Sequence, residues 1–319
     1  MKILVSGGAG FIGSHLVESL VEAGHRVTVV DNFLTGRPEN IGHLLRQGRC
    51  RLLEQDIVKP LNLNGEDPEL IFHLASPASP EDYGRYPVET LLVNSAGTYN
   101  LLELARAAGA RFILASTSEV YGDPEVHPQP ETYWGHVNPV GPRAAYDEGK
   151  RFAEALTVTY FRKYGLDVRI VRIFNTYGPR NRVDDGRVIP NFIRQALRNE
   201  PLTVYGDGSQ TRSFCYVSDL VAGLLRVGFG TGLAGEVFNL GNDDERPVIE
   251  VARLVKALTG TPAPIVFLPP RPEEIARRRP DLTKARQVLG WSPTVGLEEG
   301  LRRTVAWYRE ELTAGRLVT

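Results

Sequence analysis

The 319-residue chain carries 37 basic and 38 acidic side chains for a net charge of −1, which gives no electrostatic basis for a nucleic-acid or anionic-membrane partner. Its 42% hydrophobic and 24% charged content matches a soluble globular protein with one large domain or two closely packed ones. Cys50 and Cys215 are its two cysteines; without metal-ligand spacing they call for neither a metal site nor a disulfide framework, and a reducing, cytoplasmic setting is expected. No apolar run approaches a membrane span, and Lys2-Ile3-Leu4-Val5-Ser6 lacks a signal-peptide core and cleavage site.

Ile3-Leu4-Val5 reads as a strand that runs into Gly7-Gly8-Ala9-Gly10-Phe11-Ile12-Gly13, after which Ser14 to Leu20 has helical periodicity. Strand, glycine turn and helix in that order form a pyrophosphate cradle. Gly7 permits the tight turn, Gly10 the approach of backbone to phosphate and Gly13 close helix packing, with the helix amides facing the anion. The next strand, Arg26 to Val30, ends at Asp31, 18 residues beyond Gly13, where a carboxylate accepts from a ribose 2′-hydroxyl and repels a 2′-phosphate. NAD is therefore expected rather than NADP; the competing role for Asp31 is to cap a turn before Asn32.

Strands follow at Cys50 to Leu53, ending near Asp56-Ile57, and at Leu70 to Leu74, ending at Ala75-Ser76. A continuous helix is expected from Val88 to Ala108, then a buried strand from Arg111 to Ala115 that presents Thr117, Ser118 and Glu119 at its C-terminal end. A helix from Arg143 to Tyr164 precedes a strand from Val168 to Ile173. This alternation predicts an α/β fold, a doubly wound parallel (Rossmann) sheet. Beyond Asn175-Thr176-Tyr177-Gly178-Pro179 the rhythm loosens into a smaller C-terminal substrate-binding α/β domain. The expected division is residues 1–175 with 217–240 for the NAD-binding domain, and 176–216 with 241–319 for the nucleotide-sugar-binding domain.

Among 12 tyrosines, only Tyr146 has a lysine four residues later, Lys150, which puts the pair on one helical face. A free tyrosine titrates near about 10; an adjacent ammonium and a positive nicotinamide ring would favour the phenolate and make it a useful general base. The plainer alternative is a surface tyrosine beside a solvated lysine. Next to the Thr117-Ser118-Glu119 strand end, the pair reads instead as the proton-removing half of a site acting on a sugar hydroxyl.

The Gly-x-x-Gly-x-x-Gly spacing resembles the extended short-chain dehydrogenase/reductase family, the NAD-dependent epimerases and dehydratases. Further blocks narrow the likeness: Ala115 to Pro124, Tyr133-Trp134-Gly135-His136-Val137-Asn138-Pro139, Tyr146-Asp147-Glu148-Gly149-Lys150-Arg151, His73 to Pro80, Pro201 to Arg212 and Arg278-Arg279-Pro280-Asp281. They resemble the UDP-glucuronic acid decarboxylases (UDP-xylose synthases) of that family. The resemblance implies a carboxy-lyase with a redox-neutral cycle: NAD⁺ oxidises C4 of UDP-glucuronate, carbon dioxide leaves, C5 is reprotonated, and the same NADH reduces C4 to give UDP-xylose.

By resemblance, the catalytic set is Thr117, Ser118, Glu119, Tyr146, Lys150 and Arg278. Thr117 shares the substrate oxygen with Tyr146, Glu119 with Ser118 and a water manages the C5 and ring steps, and Arg278 holds or relays protons near the departing carboxylate. The implied cofactor contacts are Gly7, Gly10, Phe11, Ile12, Gly13, Asp31, Asn32, Thr35, Gly36, Asp56, Ile57, Leu74, Ala75 and Ser76, with Tyr146 and Lys150. Asn175, Arg187, Gln210, Arg212 and Arg278 would hold the substrate, with Tyr205 against uracil. A homodimer built from the helices at about 88–108 and 143–164 is also implied.

Within the family a 4,6-dehydratase carries Thr-Asp-Glu at the strand end, and a 4-epimerase needs neither acid. Ser118 with Glu119 suits a sugar that itself bears a carboxylate, which a second acid would repel. A 4-epimerase or 4,6-dehydratase remains the alternative, followed by a non-catalytic NAD-binding protein. Cys215 in place of a glutamine and Leu92-Val93 in place of a Lys-Thr pair depart from the family pattern and bear on fine positioning of substrate or cofactor.

Overall fold

The computed structural model describes residues 1–63, 65–270 and 277–316. The first half alternates as expected: β1 (Lys2–Ser6), α1 (Phe11–Glu22), β2 (Arg26–Asp31), α2 (Glu39–Arg46), β3 (Cys50–Glu54) and β4 (Leu70–His73). Two short helices follow, α3 (Pro80–Arg85) and α4 (Pro87–Leu92), then α5 (Thr98–Ala108), β5 (Arg111–Thr117), α6 (Ala144–Tyr164) and β6 (Val168–Ile173). The expected single helix from Val88 to Ala108 is interrupted: Val93–Gly97 forms a π-turn between α4 and α5. Hydrophobic spacing hardly registers one extra residue in a turn, so the sequence reads straight through it.

The remaining elements are β7 (Thr176–Tyr177), α7 (Val188–Leu197), β8 (Leu202–Tyr205), β9 (Thr211–Ser213), β10 (Cys215–Tyr216), α8 (Val217–Phe229), β11 (Val237–Leu240), β12 (Glu245–Pro247), α9 (Val248–Thr259), β13 (Ile265–Leu268), β14 (Arg277–Arg278), α10 (Thr283–Leu289) and α11 (Leu297–Thr313). The main sheet has the order β11-β6-β5-β4-β1-β2-β3, and all its pairings are parallel. Both faces of its strands are covered. Ile3 and Val5 pack toward the α1 and α8 side with Leu16, Leu20 and Leu224, whereas Leu4, Phe112 and Leu114 pack toward Leu101, Leu102 and Ala153 of α5 and α6. This is the two-residue alternation of a sheet buried on both sides.

From β1 the chain winds outward through β2 and β3, then crosses back to β4 and winds the other way. The reversal leaves a crevice beyond the C-terminal ends of β1 and β4, the place where such sheets bind ligands. A second layer of small sheets closes over that crevice. In it, β9 pairs antiparallel with β12 and parallel with β14, and Arg278 stands opposite Arg212 in the register. Among the described residues no helix is long and apolar enough to cross a membrane.

Candidate active site

At the head of α1 the backbone is shaped by glycine. Gly7 has φ +74°, and a Cβ there would lie 2.6 Å from the Ala75 amide nitrogen; a Cβ on Gly13 would run into the carbonyl oxygen of Gly7. Gly10 is the N-cap of α1 and supplies no side-chain cap, so the first-turn amides keep their capacity for an anion. A dinucleotide pyrophosphate fits this cradle. Gly13→Ala is expected to cost about 1–3 kcal/mol in overpacking, read as NAD binding weaker by roughly ten- to hundredfold in a fluorescence titration; unchanged affinity would mean the turn has room that the backbone does not show.

The cleft in front of this cradle has a volume of about 360 Å³, within the range of small-molecule sites. Gly7, Gly10, Phe11, Ile12, Gly13, Thr35, Leu74 and Ser76 line one part of it. Thr117, Ser118, Glu119, Tyr146 and Lys150 line it too, as do Asn175, Arg187, Arg212 and Arg278. Asp31, Asn32, Gly36, Asp56, Ile57 and Ala75 are not among the lining residues. The two carboxylate oxygens of Asp31 accept from Ala9 N and Phe33 N, each at 2.9 Å, and each oxygen keeps a lone pair for a further donor. Asp56 accepts from Val58 N at 2.9 Å and from Asn32 Nδ2 at 3.2 Å. Both acids lie at the ends of β2 and β3, where they brace the turns beside the cradle. Tyr205 and Gln210 lie in and just after β8. Tyr205 closes β8 against β13, and Gln210 Nε2 donates to its carbonyl at 2.9 Å.

Thr117 is the last residue of β5, and Ser118–Tyr121 turns away as a single 3₁₀ turn. The Tyr146 hydroxyl is hydrogen-bonded to Thr117, and its ring stacks on Tyr83 with centroids 5.1 Å apart and planes 8° apart. Lys150 Nζ donates to the Ala115 carbonyl at 2.9 Å, which uses one of its three N–H bonds. Burial pushes Tyr146 up to about 12, against the Thr117 hydrogen bond and the nearby charge of Arg187. Burial also lowers Lys150 to about 7, with Glu154 opposing. The chain's own groups thus keep the phenol protonated at neutral pH, and a cation has to be brought into the cleft to change that.

Glu119 is the most heavily engaged acid of the cleft. Its Oε2 accepts from Arg143 Nη2 and its Oε1 from Arg278 Nη1, while Arg278 Nη2 reaches the Gly122 carbonyl at 3.2 Å. Burial pushes the Glu119 carboxyl up, but Arg278 and Arg143 outweigh it and bring it to about 2. Asp147, one residue after Tyr146, goes the other way: burial and then the charge of Glu119 raise it to about 7. Of the run Arg277 to Arg279, Arg278 is the member that lines the cleft. Arg277 is exposed and pairs with Glu245 at 3.2 Å, and the backbone of Arg279 donates to Gln129 Oε1 at 2.9 Å.

The sequence reading passed over Arg143, and also over Arg180 and Arg182, which line the cleft near the cradle. Arg143 could have been found, because it precedes Tyr146 by three residues and Lys150 by seven and so shares their face of α6. The two departures from the family pattern lie outside the lining. Cys215 is buried on β10, where burial pushes its thiol up, and Leu92 is 44% exposed at the end of α4.

Known proteins with the same build carry related activities. UDP-glucuronic acid decarboxylase 1 of Xenopus tropicalis is 53% identical over 311 residues, 98% of this chain and 73% of that protein. The solved UDP-glucose 4-epimerase of Thermotoga maritima, a complex with UDP-glucose, superposes with a TM-score of 0.89 at 36% identity and covers 98% of this chain and 100% of its own. A UDP-glucuronic acid 4-epimerase from Bacillus cereus, solved with UDP-glucuronic acid and NAD, gives 0.87 at 31% identity, with 97% and 99% covered. A family model described as "NAD dependent epimerase/dehydratase family" matches residues 3–241, which take in the glycine cradle, the Thr117 strand end and the Tyr146 helix, and the chain belongs to that family.

Proposed function

We infer that this protein converts UDP-glucuronate to UDP-xylose by NAD-dependent decarboxylation. The observation that carries the reading is the buried Glu119 carboxylate held between Arg143 and Arg278, next to the hydrogen-bonded Thr117 and Tyr146. An epimerase or dehydratase acting on a neutral hexose has no need of two guanidiniums at this place, whereas a sugar bearing a carboxylate at C5 does. The sequence likeness to UDP-glucuronic acid decarboxylases supports the same choice.

Gly7, Gly10, Phe11, Ile12 and Gly13, with Thr35, Leu74 and Ser76, would hold NAD, which when bound would supply a hydride acceptor and, once reduced, a hydride donor for C4. With the positive charge of a bound nicotinamide ring favouring its phenolate, Tyr146 would take the proton from the 4-hydroxyl, and Thr117 orients that oxygen. The ketone at C4 makes the sugar a β-keto acid: the C5–C6 bond breaks, its electron pair passes to the C4 oxygen, and Thr117 and Tyr146 hydrogen-bond the enolate. Ser118 and Glu119, with a water, manage the reprotonation of C5, and the proton comes from solvent, since loss of carbon dioxide from a carboxylate takes up one proton overall. Arg212 and Asn175 bind the diphosphate, Arg212 as a fork suited to phosphate oxygens.

Incubating the enzyme with UDP-glucuronate and analysing the nucleotide by mass spectrometry tests this reading. Loss of the carboxyl carbon is expected. A product of unchanged mass with inverted C4 would replace the reading with an epimerase, and loss of water would replace it with a dehydratase.

The working form is a homodimer in a reducing, cytoplasmic setting. Val88, Leu91 and Leu92 of α4, Tyr99 of α5 and Phe152 of α6 are all exposed, and 88 with 91 and 92 share one face of α4. Apolar residues grouped this way favour a partner surface, and a second copy brings the same face. Sedimentation velocity at micromolar concentration should give a dimer; a stable monomer there rejects it.

A further inference from the structure

Arg143 and Arg278 reach Glu119 from separate parts of the chain, one from the start of α6 and the other from β14. Two guanidiniums thus face one carboxylate, and the arrangement leaves polar atoms unmatched. Arg143 Nε, Arg278 Nε and Asp147 Oδ1 are buried without a hydrogen-bond partner among the described residues. Asp147 Oδ2 lies 3.7 Å from Arg143 Nε. A buried cation with spare donors beside a second acid is arranged to change partners, since leaving a guanidinium unpaired would be costly whereas trading one carboxylate for another is not.

We propose that Arg143 is a specificity-determining residue that releases Glu119 and takes the carboxylate of the bound sugar, while Arg278 keeps its hold on Glu119. The proposal rests on the decarboxylase reading for the identity of the sugar, and its geometry follows from the cleft. Tyr146 and Thr117 mark the 4-hydroxyl; C5 is the next ring atom, and Arg143 stands three residues before Tyr146 on the same helical face. Asp147 steadies Arg143 during the exchange.

The exchange accounts for two features of the site. Glu119, held far below the ordinary carboxylate range by two cations, is a poor proton acceptor until one of them leaves; the arriving substrate removes one and prepares Glu119 for work at C5. When carbon dioxide departs, Arg143 loses its partner at the moment Glu119 can return. The C5–C6 electron pair goes to the C4 oxygen, carbon dioxide leaves neutral, and the guanidinium regains Glu119, so no buried cation is left unpaired.

The test is calorimetric titration of the NAD-loaded enzyme in a Tyr146→Phe background, which slows turnover, with UDP-glucuronate and with UDP-glucose as the control whose sugar carries no carboxylate. Arg143→Gln is expected to weaken UDP-glucuronate binding by roughly 10–100-fold and to leave UDP-glucose within about twofold, while Arg143→Lys recovers part of the discrimination through its charge. If both nucleotides weaken equally, or neither does, the exchange is wrong. Arg143→Lys serves the same comparison if the glutamine variant fails to fold. Product analysis of the unmodified enzyme is read separately: discrimination that depends on Arg143 without loss of the carboxyl carbon would remove the decarboxylase reading and leave the carboxylate clamp standing.

Discussion

Tyr146→Phe is expected to lower kcat on UDP-glucuronate by about 10²–10⁴-fold, the usual worth of a positioned general base, with little change in melting temperature. The ring that remains keeps its stacking on Tyr83 and its place in the buried wall of the cleft, where Tyr146 is 5% exposed. What disappears is the hydroxyl shared with Thr117. Thr117→Ala should cost less, because Tyr146 can still accept the proton when its neighbour no longer orients the oxygen. Steady-state kinetics beside thermal unfolding separates the two losses. A phenylalanine variant within a few-fold of the unmodified enzyme would show that the proton leaves by another route.

Glu119→Gln is the second large effect, and it appears in stability as well as activity. Glu119 is buried between two cations, and removing its charge leaves Arg143 and Arg278 facing each other. Breaking a buried pair from one side costs about 3–5 kcal/mol, roughly 4–8 °C of melting temperature for a chain of this size. The effect has a pH signature. Glu119 sits at about 2 in the fold and near about 4.3 when unfolded, a depressed carboxyl, so its stabilisation is complete above the unfolded value and is lost as pH falls through that window toward 2. The gap in melting temperature between the unmodified protein and Glu119→Gln should be constant from neutral pH down to about 5 and then narrow. A gap that stayed constant to pH 3 would mean that Glu119 is not held as an anion.

The fold was legible because its signals are local. A strand running into three spaced glycines and then a helix, and the alternation of strands with amphipathic helices, depend on residues next to one another. The parallel sheet and the places of Thr117 and Tyr146 could be read on the same grounds. Asp31 was harder to read. A carboxylate at the end of a second strand suits a ribose hydroxyl, and that it also accepts from the Ala9 and Phe33 amides depends on the folded backbone rather than on neighbouring sequence. Tyr205 carries an aromatic ring of the right kind, but the pairing of its strand with β13 joins residues about 60 positions apart and is not written in the local sequence. Arg143 was missed because its importance comes from Arg278, 135 residues later, which reaches the same carboxylate only through the pairing of β14 with β9.

That pairing also decides which of three identical side chains matters. β14 is two residues long, with Arg277 facing outward and Arg278 inward, and successive positions on a strand point to opposite sides. Chemistry alone would accept any member of the run, but strand phase accepts one. A one-residue deletion close before Arg277 would leave composition and charge pattern almost untouched yet present the neighbouring arginine in its place, so two homologues with the same arginine triplet can differ in which guanidinium enters the cleft.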